Sequence, residues 1–96
     1  MRALAATAFG LWLIAPVLAA VNVDPPGKAP YDRTCGACHG REGRGEVGPP
    51  LVPLDKDFGE VLAIVREGIG EMPPVGPSTL NDEDVRLVVD YLKSIR

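Results

Sequence analysis

The chain has 96 residues, with 10 Lys and Arg against 13 Asp and Glu, a formal charge of −3, two cysteines and one histidine. That length is enough for one small domain. No basic stripe is present to neutralise phosphates, which excludes a nucleic-acid binder of the ordinary electrostatic kind.

The N-terminus is unlike the rest. Arg2 makes a short basic region, and Ala3 to Val17 are apolar apart from Thr7. Val17 and Ala19 then stand in the −3 and −1 places of a small-residue cleavage site, so residues 1–19 are expected to be a secretory signal peptide. The apolar run is short for a membrane span, which needs ~20 residues. Retention as an N-terminal anchor is the competing reading. Cleavage would leave about 77 residues, remove Arg2 and Trp12, and take the formal charge to −4. The mature chain is then expected to be periplasmic, with no stable membrane span. A chain this short has difficulty building a self-sufficient core, and a disulfide across two intervening residues would stabilise it little.

Residues 20–29 contain Pro25, Pro26 and Gly27 and show no period, so they read as an extended leader. The domain proper is expected over residues 30–96. Pro30 suits the first position of a helix, predicted to run to about Cys38. Gly40 to Asp57 is rich in Gly and Pro and reads as one loop of ~18 residues, long enough to imply a function. From Phe58 the pattern becomes helical: Phe58, Val61, Leu62, Val65 and Ile69 share a face, Asp57 is the N-cap, and Gly68 and Gly70 end the element. A Pro-rich loop, Glu71 to Leu80, follows. The last helix has Asn81 as N-cap and Asp82, Glu83 and Asp84 in its first turn, where the helix dipole favours acids. Leu80 and Val85 form a hydrophobic staple, and Val85, Val88, Tyr91, Leu92 and Ile95 line the inward face. No strand pattern occurs. The expected class is all-α: three main short helices and long loops, unable to pack much core among themselves.

Both cysteines and the only histidine fall in Cys35-Gly36-Ala37-Cys38-His39. A thiol–disulfide pair needs a βαβ scaffold, which the pattern lacks. Zinc normally takes a fourth ligand from a second hook, and there is none. A structural disulfide would leave His39 as coincidence. Covalent c-type haem uses this spacing. Residues i and i+3 on a helical turn face the same way, so two thiols can reach one porphyrin edge while the next residue reaches the iron. An apolar group of that size would also supply the missing core. The geometry favours haem, with Cys35 and Cys38 as thioether anchors and His39 as axial ligand.

The mature chain offers one thioether, Met72, in a proline-flanked loop. A gap-filling core Met is the alternative, but Gly70-Glu71-Met72-Pro73-Pro74 is not a packing stripe. Iron ligation by Met72 would raise the potential and close the iron to substrates, which points to electron transfer. A ligating His normally donates its second ring N–H to an acceptor. The Pro49 and Pro50 carbonyls are available for this, although plain loop punctuation accounts for the composition equally well.

Together these stretches resemble the small class I c-type cytochromes. The run from Cys35 through His39 and Gly40, then Gly43, Gly45, Gly48-Pro49 and Leu51, is similar to the family's attachment motif and following loop. Gly27 and Tyr31 match its N-terminal helix, Gly70 to Pro73 its axial-Met loop, and Leu80 to Val85 with Tyr91 its C-terminal helix. The resemblance implies a small cytochrome c fold around one covalent haem c with its iron. It implies His39 and Met72 as axial ligands, and the Pro49 carbonyl as acceptor of the His39 ring N–H. It also implies that the first and last helices cross, with Gly27 or Tyr31 near Tyr91. Two features depart from the family: the mature chain has no Trp, and the segment between Leu51 and Met72 is short. Arg66 and Arg86 are candidates to meet the haem propionates and also read as solvated helix-face charges. Arg33, Arg41 and Glu42 read as solvated charges.

The function implied is that of a single-haem carrier of one electron between extracytoplasmic redox partners, a dehydrogenase donor and an oxidase or other cytochrome acceptor, rather than an enzyme. The partner-facing patch is expected around the attachment edge, with Pro74, Val75, Gly36 and Ala37 as candidates. The alternatives are a dedicated cytochrome subunit of a periplasmic dehydrogenase, a haem peroxidase or sensor with an open sixth site, and a thiol oxidoreductase.

Overall fold

The computed structural model describes residues 23–96. The expected signal peptide lies outside the described residues. Among these residues four α-helices follow in order: α1 (Lys28–Thr34), α2 (Gly36–His39), α3 (Phe58–Glu67) and α4 (Asp82–Lys93), with a 3₁₀ turn at Arg41–Gly43 between α2 and α3. Among the described residues the only β-type pairing is one isolated bridge, Ile69 to Met72. No helix among them is long and apolar enough to cross a membrane.

The first predicted helix is two. It starts at Lys28, two residues before Pro30, so Pro30 occupies the third helical position, still within the turn whose N–H groups lack helical partners. The path bends at Cys35 (φ −101°), and a second short turn carries Gly36 to His39. Gly36 is the cause legible in the sequence, since glycine propagates a helix poorly.

Helices α3 and α4 have the caps their sequences call for. The Asp57 side chain accepts from the Glu60 N–H at 2.9 Å, and the Glu60 carboxylate accepts from the Asp57 N–H at 3.0 Å. This is a reciprocal capping box. Asn81 accepts from the Asp84 N–H at 2.8 Å. Leu80 and Val85 are both buried, and they pack in one cluster. Ile69 differs from expectation: α3 ends at Glu67, Gly68 turns the chain at φ +75°, and Ile69 emerges 62 % exposed. Val89 is buried on α4 beside the expected face, which is therefore wider than the five residues read from the period.

Eight buried apolar side chains among the described residues form two clusters. Tyr31, Val88, Tyr91 and Leu92 join α1 to α4. Val65, Leu80, Val85 and Val89 join α3 to α4. Helices α1 and α4 cross where Gly27 lies against the Leu87 carbonyl and Tyr91 Cβ, so closely that a side chain at Gly27 would overlap both. The Tyr31 and Tyr91 rings stack beside this point, centroids 5.7 Å apart and tilted by 52°, an arrangement aromatic pairs favour. Leu54 touches both clusters. The space between them is not filled by protein, and that space is the site.

Candidate functional site

A cavity of about 310 Å³ separates the two clusters. Cys35, His39, Pro49, Leu54, Met72 and Val85 are among its walls. Its lining is aliphatic and proline-rich, with Asp55 and Lys56 as the only charged groups. Of the predicted site residues, Cys35, His39, Pro49 and Met72 all line it. Cys38 does not; it is exposed, one turn beyond Cys35 on α2. The fold thus brings together groups 37 positions apart in the chain.

The loop after α2 accounts for the placing of His39. The Gly45 N–H donates to the His39 carbonyl at 2.7 Å, and the Gly48 N–H donates to the Cys38 carbonyl at 2.6 Å. These are end-of-helix carbonyls with no partner inside α2, and the glycine loop satisfies them. The loop then carries Pro49 under the ring, and the Pro49 carbonyl lies 2.8 Å from His39 Nδ1. In the tautomer with Nδ1 as the donor there, Nε2 has its lone pair free to ligate a metal. Gly48 packs on the same ring: a Cβ there would lie 3.0 Å from Nδ1. The other end of the motif is tied by the buried Tyr31 hydroxyl, which donates to the Gly40 carbonyl at 2.7 Å. His39 itself is 8 % exposed.

Burial pushes the Cys35 thiol up to about 11. It is protonated at neutral pH, whereas disulfide exchange needs an accessible thiolate. That weighs against the thiol-redox reading. Among the described residues no group of three or more His, Cys, Asp and Glu is placed to hold a metal ion. What remains is one imidazole, one thioether and one half-buried thiol around an apolar space, with a second thiol one turn away. This donor set does not suit a hydrated cation. It suits a flat apolar macrocycle carrying a metal that takes nitrogen and sulfur ligands.

Three arginines expected to be solvated are engaged. Arg66 Nη1 donates to the Val75 carbonyl at 3.0 Å and Nη2 donates to Asp82 at 2.6 Å. Arg33 pairs with Asp84 at 3.2 Å. The Arg86 guanidinium sits 4.0 Å from the Phe58 ring centroid, as a cation–π pair. Glu42 accepts from Arg44. Sequence reasoning missed these partners because each lies on another element or across a turn. Glu60, the return half of the Asp57 capping box, was legible from its three-residue offset. Of the expected partner-facing residues, Pro74 and Ala37 are exposed, Gly36 is half-buried, and Val75 is half-buried against the second cluster.

Two comparisons bear on the site. Residues 23–92 match the family model described as cytochrome C oxidase, cbb3-type, subunit III. Over 87 residues the chain is 36 % identical to the cytochrome c subunit of 4-cresol dehydrogenase [hydroxylating] from Pseudomonas putida, covering 91 % of this chain and 75 % of that one.

Proposed function

The chain belongs to the c-type cytochromes, within the cbb3-type subunit III family, and from that premise we propose that Cys35 and Cys38 hold its haem as thioethers while His39 and Met72 ligate the iron. The family makes it an electron carrier with covalently attached haem c, in an all-α cytochrome c fold. The observation that carries the residue assignment is the convergence of Cys35, His39, Pro49 and Met72 on one apolar cavity. When bound, haem c supplies a one-electron Fe(III)/Fe(II) couple, and ligation by His and Met sets it at a raised potential.

The protein's own residues have three tasks. His39 presents Nε2 because Nδ1 is committed to the Pro49 carbonyl, a bond that fixes the ring and raises its basicity. Met72 stands on a segment stiffened by Pro73 and Pro74, whose φ angles are restricted. The aliphatic walls, Leu54, Val61, Val65, Leu80 and Val85, exclude water. Holding the same two ligands in both oxidation states keeps the structural change per electron small. With His39 and Met72 both holding the iron, no position would be left for a substrate, so we read the chain as a carrier rather than an enzyme.

The signal-peptide reading of residues 1–19 supports export and a periplasmic place of work. Within that setting a dedicated dehydrogenase subunit is favoured by one specific observation, the relative that is such a subunit. Co-purification of a larger redox enzyme with the native protein supports the subunit reading. A free monomer at all concentrations supports a diffusing carrier.

An optical spectrum of the mature protein, oxidised and reduced, tests the ligand assignment. The expected result is a low-spin six-coordinate haem with a weak sulfur-to-iron charge-transfer band in the oxidised form, lost in Met72→Ala. An unchanged spectrum in Met72→Ala would refute Met72 as ligand and raise the peroxidase or sensor reading.

A further inference from the structure

Residues 69–81 form a strap between α3 and α4, and Met72 rides on it. At its start Ile69 and Met72 exchange backbone hydrogen bonds, at 3.1 Å and 2.9 Å. Gly68 lets the strap lie against the end of α3; a Cβ there would meet the Met72 carbonyl at 2.7 Å and the Pro74 nitrogen at 3.0 Å. Further on, both backbone groups of Val75 are anchored to α3. Its N–H donates to the Val65 carbonyl at 2.7 Å, and its carbonyl accepts from Arg66 Nη1 at 3.0 Å. Through Nη2 the same guanidinium reaches Asp82 in the first turn of α4, at 2.6 Å. Among the described residues, Arg66 is the only side chain hydrogen-bonded to residues 69–80, and that side chain is 22 % exposed.

Only Pro73 and Pro74 stand between Val75 and Met72. With two restricted φ angles there is little slack between the anchored peptide and the thioether. We propose that Arg66 is a positioning residue for Met72, a latch that joins α3, the strap and α4 and keeps the thioether in the cavity. This rests on Met72 being the iron ligand. The bond to the Val75 carbonyl carries the effect, because it joins a mostly buried cation to a fixed acceptor. Asp82 is 69 % exposed, so its ion pair adds less.

The test uses the haem-loaded full-length protein and imidazole as a probe that competes with Met72 for the iron. Losing a charge-assisted hydrogen bond loosens the strap by roughly a factor of ten. Imidazole is therefore expected to bind Arg66→Gln roughly tenfold more tightly than wild type, with the sulfur-to-iron band lost at correspondingly lower imidazole. Arg66→Lys keeps the charge and reaches one acceptor at a time, so it is expected to fall between the two. Arg33→Gln breaks the other ion pair into the first turn of α4 without touching the strap. It is expected to lower the melting temperature and leave imidazole binding unchanged. Wild-type imidazole affinity in Arg66→Gln, or an equal shift in Arg33→Gln, would overturn the latch. Met72→Ala separates the two layers. If it alters the spectrum while Arg66→Gln behaves as wild type, the latch alone fails; if it leaves the spectrum unchanged, the ligation fails and the latch with it.

Discussion

Gly27→Ala puts two physical effects in opposition. Gly27 has φ −83° and ψ −8°, a conformation alanine adopts without strain. Seen from the backbone alone, the substitution stabilises by about 0.4–1 kcal/mol, because it narrows the unfolded ensemble. The contacts say the opposite. The new Cβ would overlap the Leu87 carbonyl, lying 2.5 Å from its carbon, and 2.7 Å from Tyr91 Cβ. Carbon atoms pack at about 3.5–4.0 Å, so α1 and α4 would have to part by about 1 Å. These neighbours are backbone and Cβ atoms, with no rotamer to move aside. Overpacking of this kind costs about 1–3 kcal/mol, and rigid neighbours put it near the top of that range. The net expectation is a loss of about 2 kcal/mol. For a domain of this size that is a fall of about 8–16 °C in melting temperature, read by far-UV circular dichroism on the haem-loaded protein. Gly59→Ala is the paired control. Gly59 lies in α3 with only Asp57 Oδ1 near, at 3.5 Å, and alanine there should stabilise by about 0.5–1 kcal/mol. A melting temperature for Gly27→Ala equal to or above wild type would refute the claim that backbone approach sets the α1–α4 crossing.

Burial raises the Tyr31 phenol to about 12 and raises Tyr91 in the same direction. The folded protein thus holds protons that the unfolded chain releases above pH 10, so this contribution is fully present below pH 10 and is lost as pH rises towards 12. Tyr31→Phe should flatten that alkaline decline, followed by denaturant titration across the range. At neutral pH it should cost about 1 kcal/mol for the lost bond to the Gly40 carbonyl. Asp57→Ala removes the N-cap of α3 and should cost about 1 kcal/mol, with Glu60→Ala costing less; chemical denaturation measures both. Gly48→Ala would bring a Cβ to 3.0 Å from His39 Nδ1 and loosen the bond to Pro49. A less basic imidazole stabilises Fe(III) less, so the reduction potential should rise, measured by spectroelectrochemistry; an unchanged potential would show that the bond survives.

Much of the fold was legible because it is written in local rules. Asp57 and Asn81 mark helix starts by chemistry that acts over three residues. The spacing of Val61, Leu62 and Val65, and of Val85, Val88 and Leu92, follows from 3.6 residues per turn. The proposed attachment motif stands out for the same reason, since its two thiols and imidazole lie within one helical turn. Where the reading failed, a local signal was outweighed. Ile69 continued the α3 stripe by count, but Gly68 ended the helix first. The single helix across Cys35 ignored how poorly Gly36 propagates one.

By itself, the sequence determined the helices α3 and α4, the class of cofactor, and the two candidate axial side chains. Each depends on residue type and on spacing along the chain. Only the tertiary structure decided that Gly27 touches Leu87, that the Gly45 and Gly48 N–H groups close α2, and that Arg66 ties the Met72 strap to two helices. These contacts join groups that approach only when distant segments pack. Residue identity records what a group can bond to; which partner it meets is settled by the fold.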